Sequence, residues 1–446
     1  MPDGLFEEAG APLRGEFMNV FLGILIMLLI LSILTVIHEW GHFIAARIFK
    51  VKVEEFSIFM GPKLFARRSK KTGTQFTLRL LPIGGYCAFA DDKGDTESKD
   101  SLYTQKWYKR AVIYAAGVIM NIILAWVICI AIVGSGNFFT NTVREIKPDS
   151  TAAFVGLETG DKIVKAGGLR VVTGTDFSLA TYAIKDLNPA DDVMDSAYTL
   201  YYKKTSDGRT VRYDIKKNIQ YKEVENEKGE KSYTYDTYSY NITVTDGDKT
   251  TVYDWFVKVN SISEAGDSAN CTVTKTVDGA QLSEQTYDIS AEDFCTLGNN
   301  DLMPVNSKNV FAVIGGGFNE MVSMVKSVYV SIWWLITGKV GFDTLAGPVG
   351  LTKVVSDVVG AKAKTKLKFI TLLNLTALIS ANLGVINALP FPGLDGFHLL
   401  LIVVELLRGG KKVSPKVQTI ISYVGLALLI ILAIAVAAMD IFKIVG

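Results

Sequence analysis

Four stretches of this sequence are apolar on every side, and each is about as long as a bilayer core is thick: Phe17 to Ile37, Ala111 to Val133, Phe369 to Leu389 and Ile420 to Met439. At about 1.5 Å per residue, a helix of roughly twenty residues crosses the ~30 Å hydrocarbon layer, so the pattern predicts four membrane-spanning helices. A shorter apolar run, Phe397 to Leu407, predicts a further helix beside the third span. Between the first two spans the pattern changes. Turn signals at Gly61-Pro62, Lys71-Thr72-Gly73 and Pro82-Ile83-Gly84-Gly85 break Glu54 to Phe89 into short strings, and Phe76-Thr77-Leu78-Arg79-Leu80 alternates apolar with polar positions. This reads as a β-hairpin or small sheet against the inner membrane face, followed by a polar loop from Asp91 to Ser101.

After Gly134 the chain becomes polar. Val143-Arg144-Glu145-Ile146, then the small-residue run Ser150 to Phe154, then Gly160-Asp161-Lys162-Ile163, give the order strand, short helix, strand. This order resembles a PDZ domain of the bacterial protease type, a fold that receives an extended peptide as an added strand. The expected organisation is a non-structured extension over residues 1–17, a first membrane half over 18–133, a PDZ-like domain over 134–217 and a β-rich region over 218–310. An interfacial amphipathic helix with a connector follows over 311–366, and a second membrane half over 367–446. Tyr233 to Val244 and Thr250 to Val259 carry the strand alternation of the β-rich region. Phe311 to Leu335 mixes polar residues and two tryptophans into an apolar run, which suits a helix lying in the interface; a fifth span is the competing reading. Ala346-Gly347-Pro348-Val349-Gly350 marks a tight break.

The fold class is therefore a polytopic α-helical membrane protein of about four spans, with a membrane-associated β-hairpin and an extracytoplasmic β-rich, PDZ-like domain. Composition agrees: 446 residues, 49% of them hydrophobic, are too many for one ordinary domain and too apolar for a wholly water-soluble chain. A net charge of +1 gives no reason to expect a nucleic-acid partner. Its distribution is more telling. Arg47, Lys50, Lys52, Lys63, Arg67, Arg68, Lys70 and Lys71 follow the first span, and Arg408, Lys411, Lys412 and Lys416 precede the last, so the positive-inside rule assigns both loops to the cytoplasm. The region from Gly134 to Asn309, richer in acids than bases, then falls outside.

The first span is too long for the apolar core of a cleaved signal peptide and is expected to be retained. Arg14-Gly15-Glu16 can be encoded as a purine-rich ribosome-binding sequence just ahead of Met18, so translation is expected to start at Met18, which N-terminal sequencing checks. Of the four cysteines, Cys87 lies near the cytoplasmic loop, Cys129 reads as a buried apolar residue, and Cys271 and Cys295 share the outer region, where a disulfide is permitted.

The chemistry lies in His38-Glu39-Trp40-Gly41-His42, at the end of the first span. On a helix the two histidines lie four apart on one face, where both imidazoles reach one zinc ion, with Glu39 beside a metal-bound water. Ionisable residues in a spanning segment cost about 2.5–3.5 kcal/mol each on translocon scales and mark functional sites. A catalytic zinc takes three protein ligands and leaves a position open. The chain holds only one other histidine, His398, three residues after Asp395, and on chemistry alone either could complete the site.

HEWGH in a first span, Gly117-Val118-Ile119-Met120-Asn121 in a second, a PDZ-like outer domain and Asn387-Ala388-Leu389-Pro390-Phe391-Pro392-Gly393-Leu394-Asp395-Gly396 in a third together resemble the site-2 protease family of intramembrane zinc metalloproteases. The layout is similar to its bacterial regulator-of-sigma branch. The resemblance implies that Zn2+ is held by His38, His42 and Asp395, that Glu39 is the general base, and that His398 has a supporting or structural part. It further implies that Asn121 and Asn387 bind substrate backbone or orient the site. It implies an endopeptidase of the bacterial inner membrane, its active site towards the cytoplasm, whose partners are the lipid bilayer and the helices of membrane-protein substrates. Residues 218–301 look unusual beside a single-PDZ member. A catalytically inactive PDZ adaptor and a soluble-facing peptidase tethered to the membrane are the competing readings; intact Glu39, His38, His42 and Asp395 argue against the first, and the motif's place in an apolar span argues against the second.

Overall fold

The computed structural model describes residues 10–90, 101–136, 138–144, 146, 151–182, 193–225, 231–262, 268–290, 302–304, 308–341 and 347–445. The segment 91–100, read above as a loop, and Cys295, hence any bridge to it, lie outside them; Cys271 is buried in a hydrophobic core. The chain divides into two compact units, one formed by Met1–Ile132 with Met324–Gly446 and the other by Val133–Ser323.

The chain enters through helix α1 (Gly10–Ile48). It begins within the stretch 1–17 expected to be unstructured, because Pro12 falls in the first turn, where a missing N–H breaks no bond. Strands β1 (Val53–Arg68) and β2 (Gln75–Phe89) follow, then α2 (Trp107–Gly134). Both strands are bent. Phe56 pairs with Phe76 and Cys87, Ile58 pairs with Leu78 and Gly85, and Phe76 pairs in turn with Arg67. Two long strands thus make a four-ribbon sheet, in which Phe76–Leu78 is interior and Gly85–Phe89 is an outer ribbon. The bend in β2 comes at Gly84, whose φ of +67° suits a residue without Cβ.

The second unit is built on β3 (Phe139–Val143), α3 (Thr151–Phe154), β4 (Lys162–Ala166), β5 (Leu169–Arg170), α4 (Gly174–Tyr182) and β6 (Val193–Lys203). A meander continues it through β7 (Thr210–Glu225), β8 (Lys231–Asp246), β9 (Lys249–Ile262), β10 (Ser268–Val277) and β11 (Ala280–Ser290), and β12 (Leu302–Pro304) returns to β3. The sheet has ten strands in the order β11-β10-β9-β8-β7-β6-β4-β3-β12, with β5 beside β4. The division expected at 217/218 falls inside β7. One apolar face explains this: alternate residues of β9, Trp255 and Val257, join Ile163, Tyr202 and Val211 of the preceding segment in one core. Asp278-Gly279, both at positive φ, supply the tight turn between β10 and β11.

Helix α5 (Val310–Ile336) follows, then α6 (Pro348–Gly360), α7 (Thr365–Ala388), α8 (Asp395–Leu407) and α9 (Pro415–Val445). Among the described residues four helices are long and apolar enough to cross a membrane: Met18–Ile48, Trp107–Gly134, Thr365–Ala388 and Pro415–Lys443. Each contains or overlaps its predicted span, and α5 is not among them. Helix α6 was read only as part of a connector; Pro348 stands in its first turn, where proline favours a helix start. It packs against α1 and α7 through Val355, Leu351 and Val359 beside Met27, Leu34 and Ile379. Its start is held by Asp440 of α9, whose carboxylate accepts the Gly347 and Gly350 N–H groups at 3.2 and 2.8 Å.

Candidate active site

Helix α1 presents His38, Glu39 and His42 on adjoining positions, and α2 crosses it at very short range. A Cβ on Gly41 would lie 2.4 Å from the Ala116 carbonyl oxygen, and one on Gly117 would lie 2.4 Å from His42 Nε2 and 2.7 Å from His38 Nε2. Only hydrogen at these positions lets two helices approach while the imidazoles occupy the gap. The third participant arrives from the break between α7 and α8. Leu389 is extended (ψ 142°), as a residue before proline must be, and Pro390 and Pro392 keep the chain from continuing as helix. The break is packed backbone to backbone: a Cβ on Gly396 would meet the Leu389 carbonyl oxygen, and one on Gly425 of α9 the Pro392 carbonyl oxygen. Asp395 is thereby set at the first residue of α8.

His38 Nε2 stands 3.0 Å, and His42 Nε2 3.3 Å, from Asp395 Oδ2, and the two Nε2 atoms are 3.1 Å apart. Among the described residues these three are the group of His, Cys, Asp and Glu side chains able to hold a metal ion. Both histidines are nearly buried, at 5% and 7% exposure. His42 Nδ1 lies 2.7 Å from the Ile113 carbonyl, which can only accept, so the ring proton sits on Nδ1 and the Nε2 lone pair faces the centre. His38 Nδ1 faces the amide of fully buried Asn121 at 3.2 Å. Asn121 Oδ1 has no other partner, and turning the amide end for end lets it accept the Nδ1 proton and frees His38 Nε2. With both Nε2 atoms unprotonated, Asp395 Oδ2 has no hydrogen-bond donor.

Glu39 Oε2 accepts the Cys87 N–H at 3.0 Å, so the outer ribbon of β2 positions this carboxylate. Glu39, His42 and Asp395 line a cavity of about 510 Å³ together with His398. His398 lies flat on Tyr114, ring centroids 4.5 Å apart and planes 7° apart. Asn387, expected near the centre, is partly buried at the end of α7 and makes no hydrogen bond among the described residues. The reading of the residues also passed over Gly117, the Cys87 amide and the buried ion pair between Arg110 of α2 and Glu405 of α8. The glycine stood in view within GVIMN; the other two had no local signal.

The family model of Peptidase family M50 matches residues 26–432. The chain belongs to this family. M50 is the site-2 protease family, and the relatives carry the corresponding names. A zinc metalloprotease of Clostridium acetobutylicum is 30% identical over 422 residues, 94% of this chain and 98% of that protein. One of Campylobacter jejuni is 28% identical over 424 residues, 94% of this chain and 93% of that protein. The regulator of sigma-E protease of Escherichia coli is 28% identical over 451 residues, 90% of this chain and 94% of that protein. This M50 peptidase is a bacterial membrane zinc metalloprotease.

The three donor atoms fit the M50 metal. Two ligands held about 2.0–2.2 Å from zinc at tetrahedral angles stand roughly 3.3 Å apart, and two imidazoles with one carboxylate leave the fourth position for water. The observed separations of 3.0–3.3 Å are of that size. Donors with inward lone pairs and no proton among them repel one another unless a cation lies between them.

Proposed function

We propose that this M50 peptidase is an intramembrane endopeptidase that cleaves the transmembrane segments of single-span membrane proteins, in regulated intramembrane proteolysis or in removing signal-peptide remnants. One observation carries the reading: His38, His42 and Asp395 converge, with Glu39 beside them, on a helix whose other faces expose Phe21, Leu25, Leu29 and Ile33. Such a surface is stable in lipid and would be unstable in water.

In this reading His38, His42 and Asp395 hold the zinc, which supplies Lewis acidity and lowers the pKa of its bound water towards about 7. Glu39 takes the proton of the attacking water and passes it to the leaving amide nitrogen. The Cys87 N–H keeps that carboxylate aimed. Ile113 and Asn121 fix the tautomers of the two imidazoles, as partners of metal-bound histidines do. Asn387 contacts substrate, since it makes no hydrogen bond among the described residues.

A substrate helix hides its carbonyls in its own hydrogen bonds, so cleavage requires it to unwind. An unwound segment needs backbone partners. Phe76–Leu78 offers no edge, being paired on both sides. Gly85–Phe89, the outer ribbon, is the better platform: the Cys87 N–H points away from β1 towards Glu39 of α1, so this ribbon runs beside the catalytic carboxylate. Substrates with helix-breaking residues near the cleavage point are favoured for the same reason.

The basic loops assign the metal to the cytoplasmic side, and the order β3, α3, β4, β5, α4, β6 supports an extracytoplasmic PDZ-like domain that limits which substrates enter. The test is Glu39→Gln in cells and in detergent. Membrane fragments accumulate only in the variant, and cleavage of a test span falls about 10²–10⁴-fold with zinc retained. Normal cleavage by the variant, or a purified enzyme without zinc, overturns the reading.

A further inference from the structure

The chain has three histidines, and two are accounted for by the metal group. The third, His398, lies one helical turn beyond Asp395 on the same side of α8 and lines the same cavity as Glu39 and Asp395. Its ring is held by shape: it stacks on Tyr114 and meets Phe397 edge-on at 5.8 Å. Tyr114 adjoins Ile113, whose carbonyl orients His42, so one turn of α2 sets both rings. Among the described residues neither nitrogen of His398 has a hydrogen-bond partner.

An imidazole used only for packing is a poor choice here. Phe would stack on Tyr114 equally well, whereas the half-buried imidazole carries two polar atoms to the wall of a cavity that also holds Glu39 and Asp395. Of the cavity's other side-chain N–H donors, His42 is held by the Ile113 carbonyl and Gln418 by the Val413 carbonyl at 2.7 Å, while Arg110 is fixed by its ion pair with Glu405 and keeps only its Nε–H unpartnered. The reaction, for its part, creates a need. Attack on a peptide carbonyl builds negative charge on its oxygen, and a donor aimed at that oxygen from a water-poor wall lowers the barrier.

We propose that His398 is a catalytic residue of this peptidase, donating a ring N–H hydrogen bond to the scissile carbonyl oxygen that strengthens as charge develops there. A neutral imidazole suffices, since one of its nitrogens always carries a proton. This rests on the assignment of His38, His42 and Asp395 to the metal.

The test uses the full-length enzyme in detergent with a test span as substrate. H398F should lower kcat about 10²–10³-fold, the cost of removing one oxyanion donor, with KM within about threefold and zinc stoichiometry unchanged. H398Q, which restores an N–H, should recover about tenfold or more. A phosphonamidate peptide, whose tetrahedral oxygen carries the negative charge of the transition state, should bind H398F more weakly by a factor matching the loss in kcat/KM, while a product peptide binds unchanged. H398L supplies a second apolar replacement should H398F fold poorly. The proposal is overturned by kcat within about threefold of wild type in both apolar variants, by losses that follow loss of zinc, or by equal weakening of phosphonamidate and product. Failure of the underlying metal assignment reads differently: Glu39→Gln then cleaves normally, whatever His398 variants do.

Discussion

In the sheet-rich unit the fully buried side chains include Val143, Ile163, Val211 and Val257, and the strands turn Lys, Thr and Asp outwards. In the membrane unit His38, His42, Arg110, Asn121, Glu405 and Asp440 are buried, while Phe21, Leu29, Ile431 and Ile434 face outwards. The sheet-rich unit buries carboxylates too, at Asp161, Asp176 and Glu320, so what sets the units apart is the outward apolar surface of the membrane unit, and that difference lies in the solvent. Water drives the first arrangement through apolar burial, at roughly 25 cal/mol per Å². Lipid tails offer no such drive between helices, so the second is held by close backbone approach at Gly41, Gly117 and Gly425 and by pairing of polar groups. Two of these close contacts, at Gly41 and Gly117, also seat the metal group.

The most severe way to break this contrast is Gly117→Ala. The methyl group meets both ligand rings, and zinc affinity should fall by about 10–100-fold or more, as for other changes that disturb ligand orientation; zinc stoichiometry at graded chelator concentrations measures it. Arg110→Met should destabilise the membrane unit by about 3–5 kcal/mol by leaving Glu405 buried and unpaired, whereas Arg110→Met with Glu405→Leu should recover most of the loss. Thermal unfolding in detergent reads both. Ile163→Ala should cost about 2–5 kcal/mol in the sheet-rich unit and leave zinc content unchanged, which limited proteolysis and metal analysis check together. An equal effect on both units would erase the contrast.

The smallest effect concerns the hairpin. Burial alone would raise the Glu55 carboxyl, but hydrogen bonds from Arg79, Tyr86 and Thr77 outweigh it and bring it down to about 2. Its folded-state pKa is depressed, so its contribution is full above the ordinary carboxylate range and is lost as pH falls from about 4.5 towards 2. Proteolytic susceptibility of β1 and β2 should rise across that window in wild type and stay flat in Glu55→Gln.

The spans were legible because a bilayer demands runs of apolar residues, and the metal group was half legible because His38 and His42 share one turn of helix. Asp395 needed the resemblance: residues so far apart in the chain carry no spacing signal, and His398 was an equal candidate on chemistry. The long-range partners escaped for the same reason, Arg110 and Glu405 being 295 residues apart and Glu39 and Cys87 48 apart. Alternation at Phe76–Leu80 identified a strand yet could not tell which ribbon of a bent hairpin lies outermost. The boundary at 217/218 was drawn where a PDZ-like pattern ends, although the meander continues the sheet.

Asp440 has a bearing on how the protein is made. The turn at the head of α6 keeps two backbone N–H groups for a carboxylate that the ribosome delivers about ninety residues later, on α9. The head of α6, a helix packed on the one that carries HEWGH, is thus completed only by the last helix, and a chain ending short of Asp440 lacks the carboxylate that holds it.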